Sequence, residues 1–216
     1  MLNIMDSLFF VFEIIGTIAF AISGAMVGIK KNMDILGVII LGLTTAVGGG
    51  VIRDVVLGNL PPVTFLNPVY AGVAIITSII VFLPFVRKRF EHNRTFDAVL
   101  LVADSLGLGI FSVVGVQIAY AKSAEYSTFL LLFVGIITGV GGGVLRDVFA
   151  LSTPHIFVKH FYACASIIGT LICVLLWGVI GEVFSMIIGA LVIIVLRFLA
   201  ARYHWELPKP NGKVIK

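Results

Sequence analysis

Two copies of one short motif, each inside an apolar stretch of membrane-spanning length, constrain the fold of this chain more than any other feature. The first copy reads Gly-Gly-Gly-Val-Ile-Arg-Asp over residues 48–54, and the second reads Gly-Gly-Gly-Val-Leu-Arg-Asp over residues 141–147. A bilayer-crossing segment avoids consecutive glycines and charged residues unless they are buried in protein or line a polar cavity. The motif therefore predicts a polar pathway in a membrane, formed twice.

Composition also places the chain in a membrane. Hydrophobic residues make up 60% of it, charged residues 12%, and the mean hydropathy is +1.15, which excludes an ordinary soluble domain. A bilayer crossing needs about 20 apolar residues, so we expect one transmembrane domain over residues 1–201 and a basic cytoplasmic tail over residues 202–216. The predicted spans are 8–29, 34–57, 68–86, 96–118, 127–150, 161–180 and 183–201.

The two motifs belong to a longer internal repeat. At an offset of 91 residues, Gly16 matches Gly107, Phe20 matches Phe111 and Gly24 matches Gly115, and the motif residues match at an offset of 93. Because each copy contains three spans, the second copy enters the membrane from the opposite side. The predicted fold class is an all-α polytopic membrane protein with seven transmembrane helices. Two inverted three-helix repeats, at about 8–86 and about 96–180, are followed by a seventh helix at about 183–201.

Lysine and arginine residues set the expected orientation. With the N-terminus outside and the C-terminus in the cytoplasm, twelve of the fifteen fall in cytoplasmic segments, as the positive-inside rule requires. The net charge of +4 then belongs to loops that face anionic lipid, and it requires no nucleic-acid partner. Short loops and the lack of a cleavable signal peptide favour a bacterial inner membrane.

Three consecutive glycines near the middle of a span allow two interpretations. Glycine permits backbone dihedrals that bend or unwind a helix and free its backbone groups to line a wet cavity. Small residues at four-residue spacing also let helices pack closely. We favour a functional helix break, because three glycines in a row exceed what packing needs. The residues concerned are Gly48, Gly49 and Gly50 in the second span and Gly141, Gly142 and Gly143 in the fifth.

The intramembrane charges also allow two interpretations. Matching depths in the membrane pair each motif arginine with an acidic residue of the preceding span: Arg53 with Glu13, and Arg146 with Asp104. Arginine and aspartate within one motif point about 100° apart on a helix, so we expect no pairing between them. Asp54 and Asp147 are then left to favour cations along a polar path. The alternative is a set of ion pairs that only hold the spans together.

The sequence contains no pattern typical of catalysis. It has no nucleophile motif and no phosphate loop, and its histidines lie near span ends without metal-ligand spacing. We therefore expect no enzyme activity, no cofactor and no metal site. Tyrosines such as Tyr70 and Tyr162 are assigned to the interfacial aromatic belts.

The duplicated three-span unit, the seventh helix and the glycine-rich motif in spans two and five resemble the prokaryotic branch of the trimeric intracellular cation (TRIC) channel family. The resemblance covers residues 4–201. It implies a homotrimer in the lipid bilayer, with a pore in each protomer that is permeable to potassium and other monovalent cations and lined by glycine-kinked helices two and five. The pore-lining candidates that it implies are Gly48, Gly49, Gly50, Arg53, Asp54, Gly141, Gly142, Gly143, Arg146 and Asp147.

Two classes of function remain open at this stage. Some bacterial proteins with this duplicated domain are described as small amino-acid transporters, and inverted repeats with broken helices also suit a secondary transporter with one midplane site. A scaffold without transport is disfavoured, because it gives no reason for costly intramembrane charges in duplicate.

Overall fold

The structure is a computed structural model, and it describes residues 4–89, 93–123, 125–158 and 161–205. All regular secondary structure in these residues is helical. The helices are α1 (Ile4–Lys30), α2 (Ile35–Leu57), α3 (Val63–Leu66), α4 (Val69–Phe82), α5 (Pro84–Arg89), α6 (Asn93–Lys122), α7 (Thr128–Phe149), α8 (His155–Val158), α9 (Tyr162–Ile180) and α10 (Glu182–Tyr203).

The long helices form two matching three-helix bundles. In the first bundle α1, α2 and α4 pack against one another, and in the second α6, α7 and α9 do the same. The bundles meet mainly through α1 against α6 and α2 against α7, with smaller contacts of α1 with α7 and of α2 with α6, while α10 packs on α6 and α9. This arrangement confirms the predicted fold class of two three-helix repeats and an additional helix.

Contacts between the bundles run in opposite directions along the chain. A Cβ atom at Gly16 would touch the ring of Phe111, and one at Gly107 would touch the ring of Phe20. Higher residue numbers in α1 therefore meet lower numbers in α6, so these two helices are antiparallel. Because α1 and α6 occupy equivalent positions in the two repeats, the repeats are inverted with respect to each other.

Six helices in the described residues are long and apolar enough to cross a membrane, and the predicted third span is shorter than expected. Its helix, α4, has only 14 residues, whereas the prediction was 68–86. Leu83 takes an extended conformation with ψ of 137°, because the proline at position 84 disfavours helical geometry in the preceding residue. Of the predicted tail, residues 206–216 lie outside the described part of the chain.

The predicted helix break at the glycine triplets is wrong. Helix α2 is continuous α-helix through Gly48–Gly50, and α7 is continuous through Gly141–Gly143. Each begins at a side-chain N-cap, Asp34 for α2 and Ser127 for α7. Helix α2 ends at Gly58, whose φ of 69° suits glycine. The glycines must therefore have a role other than unwinding the helix.

Candidate functional site

The middle glycines of the two motifs lie where α2 and α7 cross. A Cβ atom at Gly49 would lie 2.1 Å from the carbonyl oxygen of Thr138, and a Cβ atom at Gly142 would lie 2.1 Å from that of Thr45. Both separations are far below van der Waals contact, so only glycine permits this approach. The contacts are symmetric, because Thr45 and Thr138 occupy equivalent positions in the two repeats, as Gly49 and Gly142 do. The packing interpretation therefore accounts for Gly49 and Gly142.

The motif arginine of α7 is fully buried and has several polar partners. Its Nη1 lies 2.6 Å from Asp104 Oδ1, and its Nε lies 2.8 Å from Asp147 Oδ1. Nη1 also donates a hydrogen bond to the hydroxyl of Ser23, which belongs to α1 of the other repeat. Arg146 thus bonds with Asp104, as the depth argument expected, and also ties the two bundles together.

The expectation that arginine and aspartate of one motif do not pair is wrong. Arg53 Nε lies 2.8 Å from Asp54 Oδ1, and Arg146 Nε lies 2.8 Å from Asp147 Oδ1. Although the two side chains leave the helix in different directions, the long arginine side chain curves back to its neighbour. The two aspartates are consequently not unpaired charges available to an ion.

Both motif aspartates also anchor the chain that follows their helix. The second oxygen of Asp54 accepts a hydrogen bond of 2.9 Å from the Val63 backbone N–H, and that of Asp147 accepts one of 2.8 Å from the His155 N–H. Each aspartate therefore binds its arginine with one oxygen and the start of the next short helix with the other. This explains why the aspartate directly follows the arginine in both copies.

Glu13 has a partner that the sequence analysis did not predict. The hydroxyl of Tyr70 in α4 donates a hydrogen bond to Glu13 Oε2. Glu13 and Arg53 line the same cavity, but the described residues show no ion pair between them, so the predicted Glu13–Arg53 pair is wrong. The second repeat repeats the tyrosine contact more loosely, because the Tyr162 hydroxyl lies 3.4 Å from Asp104 Oδ1.

Two cavities lie on either side of the α2–α7 crossing. The smaller, which we name the Glu13 cavity, has a volume of about 30 Å³, and its lining includes Glu13, Thr17, Gly50, Arg53 and Tyr70. The larger, which we name the Asp104 cavity, has a volume of about 420 Å³. Its charged and titratable lining residues are Lys30, Asp97, Asp104, His155 and Arg197.

The structure distributes the pore-lining candidates unequally. Gly50 and Arg53 line the Glu13 cavity, whereas none of the second-motif residues is among those lining the Asp104 cavity. Gly48 and Gly141 belong to the crossing, because a Cβ atom on either would meet a leucine or isoleucine side chain of the opposite helix. A Cβ atom at Gly143 would lie 2.8 Å from the hydroxyl of Tyr162, which itself contacts Asp104.

Sequence reasoning missed two types of residue in these clusters. Tyr70 and Tyr162 were assigned to the membrane interface, although Tyr162 is only 3% exposed and both contact acidic residues. Their spacing of 92 residues, close to the repeat offsets of 91 and 93, is a signal that could have identified them. Arg197 was counted as a cytoplasmic charge, but it is buried in α10, 3.4 Å from Asp104 and stacked over the Tyr162 ring.

Arg197 changes the charge balance between the clusters. The Asp104 cluster contains two arginines, Arg146 and Arg197, and two aspartates, Asp104 and Asp147, so its formal charges cancel. The Glu13 cluster contains one arginine and two carboxylates, Glu13 and Asp54. The excess formal negative charge therefore belongs to the group formed by Glu13, Arg53 and Asp54. In the described residues, no group of three or more histidine, cysteine or acidic side chains is placed to hold a metal ion.

Comparisons with known proteins agree with this architecture. A family model described as glycine transporter matches the chain twice, over residues 10–85 and 101–178, which correspond to the two bundles. The Escherichia coli K12 inner membrane protein YadS, of the UPF0126 group, is 39% identical over 199 residues, 91% of this chain and 93% of that protein. The Bacillus subtilis membrane protein YvgT is 33% identical over 202 residues, covering 94% of this chain and 96% of YvgT.

Solved structures decide the family. A TRIC cation channel studied for its conductance superposes with a TM-score of 0.82 and 36% sequence identity, covering 94% of this chain and 98% of that channel. The chain belongs to the TRIC family. A prokaryotic TRIC channel crystallised in 0.5 M KCl gives a TM-score of 0.84 at 30% identity, with 93% and 99% of the two chains covered. The TRIC orthologue from Rhodobacter sphaeroides gives 0.83 at 26% identity, with 92% and 100% covered.

Proposed function

We propose that this chain is a monovalent cation channel of the potassium type, with one pore in each protomer of a homotrimer. The pore connects the Glu13 cavity with the Asp104 cavity, with α2 and α7 on one side and α1 and α6 on the other. The observation that carries the proposal is a polar cavity on each side of one symmetric helix crossing, in a fold shared with TRIC cation channels.

The charge distribution supports cation selectivity and assigns it to one residue. In the Asp104 cluster the buried charges cancel, and Asp54 is held by Arg53 and the Val63 N–H. Glu13 is the carboxylate that faces a cavity with a tyrosine hydroxyl as its hydrogen-bond partner. Carboxylates in a pore attract cations and repel anions. Glu13 therefore sets the preference for cations, in place of Asp54 and Asp147.

The experiment is a reversal-potential measurement in planar bilayers under a KCl gradient. Wild-type protein should show single-channel steps and a strong preference for K⁺ over Cl⁻, and Glu13→Gln should reduce that preference. Glu125→Gln, which removes an exposed loop carboxylate that lines neither cavity, is the matched control and should leave the reversal potential unchanged. An unchanged reversal potential in Glu13→Gln would exclude Glu13 as the selectivity residue.

We further propose that the Asp104 cavity opens toward the cytoplasm of a bacterial inner membrane. Its lining includes Lys30 and Arg197, from the two helix ends that the positive-inside rule places inside. This orientation puts the N-terminus outside and the C-terminus inside. A reporter fused to the C-terminus that is active only in the cytoplasm would test it.

A second candidate is a secondary transporter of a small amino acid. The matching family model is described as glycine transporter, and the Asp104 cavity holds groups of both signs, as a zwitterion requires. Saturable uptake of labelled glycine by proteoliposomes, without single-channel current, would favour this function. Current steps of many ions per millisecond would exclude it, because a transporter turns over far more slowly.

A further inference from the structure

The two cavities approach each other along one face of α6. Asp104 lines the larger cavity and Phe111 lines the smaller one. The two residues are seven positions apart, which is two helical turns or about 10 Å. Gly107 lies between them on the same face. Whatever covers Gly107 therefore separates the two cavities.

The side chain that covers Gly107 is the ring of Phe20 from α1. A Cβ atom at Gly107 would lie 2.1 Å from Phe20 Cδ1, and a Cβ atom at Gly142 would lie 3.2 Å from Cδ2 on the opposite edge of that ring. Phe20 is thus held between α6 and α7 and is only 1% exposed. The glycines of both helices provide the space that the ring occupies.

Phe111 repeats this arrangement from the other side. Its Cζ would lie 3.1 Å from a Cβ atom at Gly16 of α1, one turn from Glu13. Phe20 and Phe111 occupy equivalent positions in the two repeats, and their ring centroids are 5.4 Å apart. The two rings belong to one hydrophobic cluster, whose other members are Ala21, Leu43, Ala46, Val47 and Ala74.

We propose that Phe20 and Phe111 together form the hydrophobic gate of the permeation path. An ion that leaves one cavity must lose part of its hydration at this pair, since the two rings offer it neither a charge nor a hydroxyl group. Apolar constrictions of this kind close pores by excluding water. The path opens when the rings leave the surfaces of Gly16 and Gly107. The proposal rests on the proposed function, because it requires a path between the two cavities.

The first test measures conduction in planar bilayers. Phe111→Ala, Phe20→Ala and the double variant should raise the open probability several-fold over wild type, with the largest effect in the double variant. Met186→Ala, which removes a similarly buried side chain outside the barrier, should leave the open probability unchanged. Phe20→Leu and Phe111→Leu replace each ring with a smaller apolar side chain and lose less packing. These variants are used if an alanine variant does not fold.

The second test does not require the protein to conduct K⁺. Cys164 and Cys173 are replaced by alanine, and Thr17→Cys or Leu101→Cys places a thiol in the Glu13 or the Asp104 cavity. Ag⁺, a thiol-reactive cation of a size similar to K⁺, is added to one side of oriented vesicles. The protein is then denatured and treated with maleimide. A thiol that has bound Ag⁺ is protected, so the unlabelled fraction measures the reaction.

With both phenylalanines present, each thiol should react several-fold faster from one side than from the other, and the favoured sides of the two thiols should be opposite. In the double alanine variant each thiol should react at similar rates from both sides. Folded variants that keep the wild-type difference between the sides and the wild-type open probability would overturn the gate. A wild-type protein without current would instead overturn the channel, and the Ag⁺ reaction would still decide whether the two rings separate the cavities.

Discussion

Arg146 and Arg53 occupy equivalent positions in the two repeats but have different environments. Arg146 contacts Asp104, Asp147 and Ser23, whereas the hydrogen bond found for Arg53 is to Asp54. The residue that matches Ser23 in the second repeat is Val114, which cannot accept a hydrogen bond from Arg53. The serine thus makes the second arginine a link between bundles, and the valine offers the first arginine no matching bond.

Replacing Arg146 with methionine should destabilise the protein more than the same change at Arg53. Loss of the guanidinium leaves buried carboxylates without their partner, which costs about 3–5 kcal/mol for a fully buried pair. Arg53→Met, the matched control, breaks one ion pair, with Asp54, and should cost less. Denaturant unfolding of the detergent-solubilised protein measures both.

Denaturant unfolding also shows whether the stranded carboxylates cause the loss of stability in Arg146→Met. Adding Asp147→Asn to Arg146→Met removes one stranded charge and should recover part of the lost stability. If the two arginine variants lose equal stability and Asp147→Asn recovers none of it, packing of the side chain outweighs its ion pairs.

Residue-level prediction from the sequence was correct where depth alone decides a contact and failed where side-chain reach decides it. The depth argument brought Asp104 to Arg146, because both lie a similar distance from one end of their helices. The same depth argument failed for Glu13 and Arg53. The helical-angle argument failed for arginine and aspartate within each motif, since helical angles describe where a side chain starts and not where a flexible guanidinium ends. Glu13 then bonds with Tyr70, which no single helix pattern can indicate.

At the level of helices, the glycine triplets are explained by two contacts. Gly49 and Gly142 allow α2 and α7 to cross at backbone contact, and Gly142 also lies beside the Phe20 ring. The sequence predicted that the triplets matter and that they lie within the spans. It could not tell unwinding from close packing, because both need a residue without Cβ and only the partner helix distinguishes them.

Alanine at Gly49 or Gly142 should weaken the α2–α7 crossing. The added Cβ meets a backbone carbonyl 2.1 Å away, which cannot move independently of its helix, so unfolding should require less denaturant. Gly72→Ala is the matched control, because nothing lies within 4 Å of its Cβ position. There alanine should be neutral or stabilise the helix by up to about 1 kcal/mol.

The two glycine substitutions report on one shared contact. The double variant should therefore lose less stability than the two single losses added together. Full additivity, or single variants as stable as Gly72→Ala, would show that the helices separate easily and that the close crossing is not required.

In the molecule as a whole, the two repeats have the same helix arrangement, but the two ends of the helix bundle differ. Lys122, at the end of α6, donates hydrogen bonds to the Leu57 carbonyl and to Asn59 Oδ1 at the end of α2. Lys31 occupies the equivalent position in the first repeat, but the described residues show no such bond from its side chain to the end of α7. The end that carries this bond is on the side of the Glu13 cavity of about 30 Å³, and the other end is on the side of the Asp104 cavity of about 420 Å³.

Lys122→Met should therefore enlarge access to the Glu13 cavity, and Lys31→Met should have little effect. A lysine at a helix C-terminus contributes about 0.3–1 kcal/mol, so we expect a change of a few-fold in the rate at which a thiol introduced by Thr17→Cys reacts with a small reagent. Equal rates in Lys122→Met and wild type would show that the lysine does not hold this end closed.

The direct bond between neighbouring arginine and aspartate has a consequence for how the protein is made. Helix α2 leaves the ribosome and enters the membrane before α6 and α7 exist, so a distant partner for Arg53 would arrive too late. A lone charge in an inserting helix is penalised, by about 2.5–3.5 kcal/mol at the helix centre and by less at a position such as Arg53, near the end of α2. Because Asp54 is the next residue synthesised and lies 2.8 Å from Arg53, the counter-ion accompanies the charge into the translocon. The motif thereby allows the first half of the protein to be integrated before the second half is translated.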